Sequence, residues 1–115
     1  IAAITAFHFV EHVPLNYLLD FFDECLRVLK PGGAVIFETP NPENIMTGAC
    51  NFYIDPTHQN PIPPQTLQFM TEYRGFSEVS IKRLHPIESD ELKDPFLKRM
   101  FFGAQDYSVI GYKEK

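Results

Sequence analysis

Apolar positions along the chain form short continuous runs separated by a helical repeat. Ile1 to Phe7 is mostly apolar without alternation, which is typical of a strand buried on both faces of a parallel sheet. Residues 15–29 follow a three- and four-residue repeat that predicts an amphipathic helix ending at Lys30-Pro31-Gly32-Gly33. A second apolar run, Ala34 to Thr39, follows. The order strand, helix, strand indicates a parallel crossover and an α/β sheet.

The rest of the chain begins with a segment rich in proline and aromatic residues, Pro40 to Pro64, which is too long for an ordinary connection and is typical of a functional loop. Hydrophobic spacing and turn residues then predict a further set of elements. They are a helix over Gln65–Tyr73, a strand over Val79–Leu84, an acidic turn over Glu88–Asp94, a short helix or lid over Phe96–Phe102 and a last strand over Tyr107–Tyr112.

Composition limits the classes of function. With 115 residues, 44% of them apolar, the chain can build one core, and we expect a single compact domain. A net charge of -5 disfavours nucleic acid as a partner, because phosphate binding needs clustered Lys and Arg. No apolar run is long enough for a membrane span, so a cytoplasmic protein is predicted. Cys25 and Cys50 lack metal-type spacing, and we assign them neither a disulfide nor chemistry.

Three motifs in register carry a family resemblance. They are Phe7-His8-Phe9-Val10-Glu11-His12-Val13-Pro14, then Arg27-Val28-Leu29-Lys30-Pro31-Gly32-Gly33, then Glu38-Thr39-Pro40-Asn41-Pro42, and Gly75-Phe76 with the strands that follow it continues the match. In order and spacing they resemble the fourth strand, following helix, fifth strand and final two strands of class I S-adenosylmethionine-dependent methyltransferases. The resemblance implies the C-terminal half of a Rossmann-like sheet in the order 4, 5, 7, 6, with the last strand antiparallel.

The resemblance also implies S-adenosylmethionine as the cofactor. The family's glycine-rich turn after its first strand has no counterpart here, so we expect residues 1–115 to be the C-terminal part of a methyltransferase domain whose cofactor-binding half lies upstream. Alone, this part should be inactive. Ligands of open α/β sheets bind at the carboxyl ends of strands, which makes Phe7, His8 and Phe9 the expected cofactor contacts.

The proline-rich segment is similar to that of methyltransferases in bacterial O-antigen and capsule assembly, which implies polysaccharide biosynthesis and a sugar or glycan-phosphate acceptor. We expect Glu11, Asn41, Tyr53 and Asp55 to bind the acceptor, because aromatic faces stack on sugar rings and polar side chains bond hydroxyls. Alternatively, the aromatic residues pin the loop to the sheet, and Asn41 serves a turn beside proline.

Two chemical routes remain open for the histidines. In the first, His12 or His58 is the general base for an oxygen acceptor, or orients a phosphate acceptor that is already ionised. In the second, His8, Glu11, His12 and His58 resemble the Glu-x-x-Glu-His set with a distant His that binds a divalent metal in some methyltransferases. His8 replaces a Glu of that set, which suits Zn better than Mg. Otherwise, Glu11 and His12 cap or brace the following helix and His58 is an ordinary loop residue.

Functions from other classes are also compatible with the sequence. A degenerate half-domain could act as a binding module, because an unpaired first strand, Ile1 to Phe7, invites a homodimer through the sheet edge. A metal-dependent hydrolase that uses the histidines is a third interpretation.

Overall fold

The structure is a computed structural model that describes residues 1–115. Four strands form one mixed sheet, and α-helices connect them. In chain order the elements are β1 (Ala3–Phe7), α1 (Leu15–Val28), β2 (Ala34–Pro40), α2 (Ile45–Ala49), α3 (Pro64–Tyr73), β3 (Ser77–Leu84), α4 (Pro95–Phe102) and β4 (Asp106–Tyr112). Two short 3₁₀ turns, Val10–His12 and Asn51–Ile54, lie in the connections.

The sheet has the strand order β1-β2-β4-β3. β1 and β2 are parallel, as a strand–helix–strand crossover requires, whereas β4 is antiparallel to both of its neighbours. Because β4 follows β3 in sequence but lies between β3 and β2, the order corresponds to 4, 5, 7, 6 of the methyltransferase sheet. The predicted fold class is confirmed.

Helix α1 covers one face of the sheet because its apolar residues recur at helical spacing. Leu18, Phe22 and Cys25 are buried there and pack into the same core as Phe37 of β2. The helix ends one residue before the predicted boundary, and the Lys113 ammonium donates to two of its last carbonyl oxygens, at 2.7 and 2.8 Å. These two hydrogen bonds satisfy carbonyl oxygens at the end of the helix that accept no hydrogen bond from a helical amide.

The prediction that the first strand is buried on both faces is wrong. β1 is an edge strand that pairs only with β2, and its residues alternate between exposed and half-buried. Ile4 and Ala6 pack against the core, whereas Phe7 is exposed to solvent. Apolar residues occur in edge strands as well as in central strands, so a continuous apolar run does not show which kind of strand it forms.

The segment from Pro40 to Pro64 is more ordered than a loop prediction implies. It contains α2 and a 3₁₀ turn, and the side-chain oxygen of Asn44 caps α2 by accepting from the Thr47 amide at 3.2 Å. A five-residue helix is too short for its apolar spacing to show in sequence. The capped helix fixes the position of the chain at the carboxyl end of β2.

The remaining elements follow the prediction closely. Helix α3 starts at Pro64, a residue suited to the first helical position, and α4 is capped by Asp94, whose carboxylate accepts from the amides of Phe96 and Leu97. β3 begins at Ser77, two residues earlier than predicted, because a bulge shifts its register. None of the helices combines the length and the apolar character needed to cross a bilayer.

Candidate functional site at the carboxyl ends of the parallel strands

The chain changes direction sharply where β1 ends. His8 adopts a left-handed backbone conformation with φ of 54°, while its amide still donates to the Glu38 carbonyl at 2.8 Å. The 3₁₀ turn Val10–His12 follows, and Val10 is completely buried. An apolar anchor therefore holds this turn against the core and fixes the directions of Glu11 and His12.

Glu11 is a buried carboxylate without a hydrogen-bond partner. It is 1% exposed, and neither of its side-chain oxygens accepts a hydrogen bond. Its nearest cation candidate is His8, whose Nδ1 lies 3.6 Å from Glu11 Oε2. The hydroxyl of the buried Tyr107 donates instead to the Ile62 carbonyl at 2.6 Å. Burial, reinforced by the negative charge of Glu11, holds the pKa of Tyr107 well above its usual range.

The residues after the second 3₁₀ turn, 55–59, lie next to the turn that contains Glu11 and His12. The Gln59 amide donates to the Glu11 carbonyl at 2.7 Å, which joins the two segments by a backbone bond. The rings of His12 and His58 consequently lie edge to face with centroids 4.6 Å apart, and the ring of Phe52 packs on His58 at 4.4 Å. Residues separated by more than forty positions in sequence thus share one site.

Each histidine has a defined partner at Nδ1. Nδ1 of His58 lies 2.5 Å from the Phe52 carbonyl oxygen, and Nδ1 of His12 lies 2.9 Å from the Thr57 hydroxyl. The Thr57 hydroxyl also donates to Asp55 Oδ1 at 2.6 Å. These hydrogen bonds from Thr57 hold the pKa of Asp55 below its usual range.

Three of the four residues named for a metal form one group. Glu11, His12 and His58 each offer a ligand atom, and these atoms lie within 4.8 Å of one another. His8 is outside this group and lies between two carboxylates, Glu11 and Glu38, at 3.6 and 3.5 Å. Glu11 and His12 do not cap the following helix, because the cap of α1 is Pro14 without a side-chain hydrogen bond.

The residues named for the cofactor lie together at the end of β1. Phe7, His8 and Phe9 are all exposed, and Phe9 packs on Phe21 of α1 with ring centroids 5.0 Å apart. A shallow apolar depression runs along this side of β1. Of the three residues, only His8 approaches the group of Glu11, His12 and His58.

The residues named for the acceptor have different environments. Tyr53 is exposed, whereas both polar groups of Asn41 are engaged: its oxygen accepts from the Glu43 amide at 3.1 Å and its nitrogen donates to the Ala104 carbonyl at 3.0 Å. Since Asn41 is also buried, the alternative of turn chemistry fits its geometry better than substrate contact. Asp55 is occupied by Thr57.

Sequence reasoning gave Thr57 no role, and it named Asn44 only as a pocket or turn residue, without the contacts that it makes. Asn44 ties α2 to the residues after α4, since its amide nitrogen donates to the Phe101 and Gly103 carbonyls. The spacing Asp55-Pro56-Thr57 carries a signal for a side-chain turn, because Asp commonly accepts from the amide two residues on. That signal alone does not say that Thr57 reaches a histidine 45 positions away.

The strand order is that of a class I methyltransferase sheet, and comparisons with known proteins agree with this fold. Residues 1–37 match a family model described as a methyltransferase domain. A comparison with curated proteins finds no match. Together with the sheet, these findings support a class I S-adenosylmethionine-dependent methyltransferase fold for the chain.

Among solved structures, the chain is similar to a methyltransferase dependent on S-adenosylmethionine from Archaeoglobus fulgidus, with a TM-score of 0.86 and 32% identity. That match covers 98% of this chain and 59% of the other, so the chain spans little more than half of that relative. Phosphoethanolamine N-methyltransferase 2 of Haemonchus contortus, solved with S-adenosyl-L-methionine, matches over 100% of this chain and 34% of its own, with a TM-score of 0.69 and 12% identity. The small RNA methyltransferase HEN1 matches over 100% of this chain and 14% of its own, with a TM-score of 0.63 and 16% identity. The last two similarities concern the fold alone.

Proposed function

We propose that residues 1–115 form the acceptor-facing part of a methyltransferase domain, in a protein that transfers a methyl group from S-adenosylmethionine to an oxygen nucleophile. The 32% identity to the Archaeoglobus enzyme and the family match over residues 1–37 support the cofactor. Residues 1–115 contain no glycine-rich turn of the kind that holds the cofactor in this family, and we propose that another part of the protein supplies it.

The observation that carries the proposal is the adjacency of His12 and His58 at the carboxyl end of β1. Bound S-adenosylmethionine would supply a methyl group on a sulfonium. A hydroxyl acceptor loses its proton as the new oxygen–carbon bond forms, and a neutral imidazole can take that proton. Phe7, His8 and Phe9 line the neighbouring edge, where they would bound the cofactor pocket.

For the acceptor, we propose a sugar or a glycan phosphate, as the similarity to O-antigen and capsule methyltransferases implies. Tyr53 supports this proposal because it is 58% exposed and lies five positions before His58, so its ring is free to stack on an apolar sugar face. Asp55 is a weaker candidate for contact with hydroxyls, since Thr57 already donates to it.

The test uses the full-length protein that contains this chain. Calorimetry should detect binding of S-adenosylmethionine, and His12→Asn or His58→Asn should lower kcat by about 100-fold or more, as loss of a general base does. His85→Asn is a matched control, because His85 is an exposed histidine that pairs with Asp106 at 2.8 Å. No cofactor binding, or full activity in both site variants, would contradict the proposal.

A second candidate role, metal binding, is favoured by the unpartnered carboxylate of Glu11. A buried carboxylate without a hydrogen bond is unfavourable, and a cation at this position would relieve the cost. Two imidazoles and one carboxylate are ligands that suit Zn²⁺ or a late first-row metal. Glu11, His12 and His58 would hold the ion, which could polarise an acceptor oxygen.

Metal analysis of protein purified without a chelator tests this role. Stoichiometric Zn²⁺ should be found in the wild type and lost in Glu11→Gln and in His58→Asn, and added Zn²⁺ should raise the Tm of the wild type only. His85→Asn should behave as the wild type. Protein free of metal whose Tm does not respond to Zn²⁺ would remove this candidate.

A binding module is the alternative from another class, and the unpaired edge of β1 favours it. Ile1 and Phe7 are exposed apolar residues beside that edge. Under this interpretation the chain forms a dimer by strand pairing, and Thr5→Pro, which introduces a residue unsuited to strand pairing, should convert the dimer to a monomer in analytical ultracentrifugation. A monomer in the wild type at all concentrations would exclude it.

A further inference from the structure

The protonation of the His58 ring is fixed by its hydrogen bond. A carbonyl oxygen can only accept, so the 2.5 Å contact between His58 Nδ1 and the Phe52 carbonyl requires a proton on Nδ1. In a neutral imidazole only one nitrogen carries a proton, and the lone pair therefore resides on Nε2. Phe52 also packs its own ring on His58, which holds the imidazole in this orientation.

The protonation of the His12 ring follows from a longer chain of hydrogen bonds. Asp55 Oδ1 accepts from both the amide and the hydroxyl of Thr57, at 2.8 and 2.6 Å. An aspartate carboxylate is ionised at neutral pH, far above its ordinary pKa of about 3.9, and can only accept. The single hydroxyl proton of Thr57 is thus committed to Asp55, and the 2.9 Å contact with His12 must run from His12 Nδ1–H to the hydroxyl oxygen.

We propose that Thr57 and Asp55 are positioning residues, which hold His12 in the Nδ1–H tautomer so that its Nε2 lone pair is free at the site. His12 then has Nε2 as its free acceptor, in the group that it forms with Glu11 and His58, whereas Nε2 of His58 lies 3.6 Å from Asp55 Oδ2. The use of this lone pair, for a proton or for a metal, rests on the proposed function, but the tautomer itself does not. Asp55 acts on His12 through Thr57.

Two substitutions of Thr57 separate this role from packing. Thr57→Val keeps the branched shape and removes the hydroxyl, whereas Thr57→Ser keeps the hydroxyl and removes a methyl group. Thr57 is exposed, so neither change should disturb the core. The His58 tautomer serves as an internal control, because it depends on the Phe52 carbonyl and not on Thr57.

The test is long-range ¹H–¹⁵N correlation spectroscopy of the ¹⁵N-labelled chain at about pH 8, above the ordinary histidine pKa of about 6.5. In the wild type, both His12 and His58 should show a protonated Nδ1, and His12 should show an unprotonated Nε2. Thr57→Val should lose the protonated Nδ1 of His12 and leave His58 unchanged. Thr57→Ser should restore the wild-type pattern.

A wild-type spectrum in which Nε2 of His12 is protonated would overturn the proposal without any variant, as would an unchanged His12 tautomer in Thr57→Val. If Thr57→Val fails to fold, Asp55→Ala provides the second readout, because it removes the acceptor to which the Thr57 hydroxyl donates and leaves that proton free for His12. In the active full-length protein, Thr57→Val should lower kcat by about 10–100-fold with little change in KM, and Thr57→Ser should recover it. The tautomer needs neither cofactor nor acceptor, so failure of the proposed methyl transfer would leave this result intact.

Discussion

Two groups of buried polar side chains lie at the same edge of the sheet, and they differ in how their hydrogen bonds are met. The group after β2, Asn41 and Asn44, is fully engaged with backbone groups of residues 101–104 and of its own turn. The group after β1 contains Glu11, whose carboxylate is buried without a hydrogen-bond partner. Satisfied buried groups stabilise a fold, whereas an unsatisfied one costs free energy and marks a place where a ligand is expected.

The largest expected effect concerns the satisfied group. Asn44→Ala removes the cap of α2 and leaves the Phe101 and Gly103 carbonyls without a donor, and it should lower the free energy of unfolding by about 2–3 kcal/mol. Urea denaturation followed by circular dichroism measures this change. Asn16→Ala, at an exposed position of α1, is the matched control and should have an effect of less than about 0.5 kcal/mol. An equal effect of both would mean that the Asn44 bonds are not structural.

The second-largest expected effect is a stabilisation, and it concerns the unsatisfied carboxylate of Glu11. Glu11→Gln removes a buried charge at nearly constant shape, so in ligand-free protein it should raise the free energy of unfolding by about 1–2 kcal/mol. The same denaturation experiment detects it. Glu88→Gln, at an exposed carboxylate, should be close to neutral. Destabilisation by Glu11→Gln would show that the carboxylate has a structural partner and would erase the contrast between the two groups.

The smallest effect tests a surface ion pair beside the satisfied group. Arg83 donates to both oxygens of Glu43, at 2.8 and 3.1 Å, and this bond holds the pKa of Glu43 below its usual range. A lowered folded-state pKa stabilises the protein above the unfolded pKa of about 4.3, and the contribution is lost as the pH falls through the folded value. Both side chains are partly exposed, so the contribution should stay below about 1 kcal/mol.

Comparing wild type with Glu43→Gln across pH measures that contribution. The wild type should be slightly more stable at neutral pH, and the difference should disappear on acidification below the ordinary carboxylate range. A difference that persists in acid would have to arise from packing and not from charge.

Sequence patterns predicted the long helix and the parallel strands, because their buried residues recur at a regular spacing along the chain. The repeat through Leu18, Phe22 and Cys25 defines α1, and the motifs around it define the parallel pair of strands. Helix α2 was not predicted because five residues hold too little of a repeat. The same patterns gave β1 the wrong burial, because continuous apolar runs occur in exposed strands as well as in buried ones, although the resemblance did predict that one side of this strand is unpaired.

The site was predicted in its residue types and only partly in its arrangement. His12 and His58 were named from a resemblance, because their spacing in sequence carries no geometric information. The hydrogen bond from the Gln59 amide to the Glu11 carbonyl brings the two histidines together. Backbone hydrogen bonds between irregular segments produce no periodic pattern in the sequence. Thr57 was overlooked for the same reason.

The position of β4 in the sheet has a consequence for the order of folding. β3 pairs with no strand other than β4, and β4 comes later in the chain, so residues 77–84 have no partner until residues 106–112 have been synthesised. The β1–α1–β2 unit can form first, from contacts that are close in sequence, while β3 waits with its backbone groups hydrated. Addition of β4 then joins the β1–α1–β2 unit to β3 in one step. Steps that pair residues far apart in sequence are slow, and until they occur the unpaired strand edges are exposed to aggregation during synthesis.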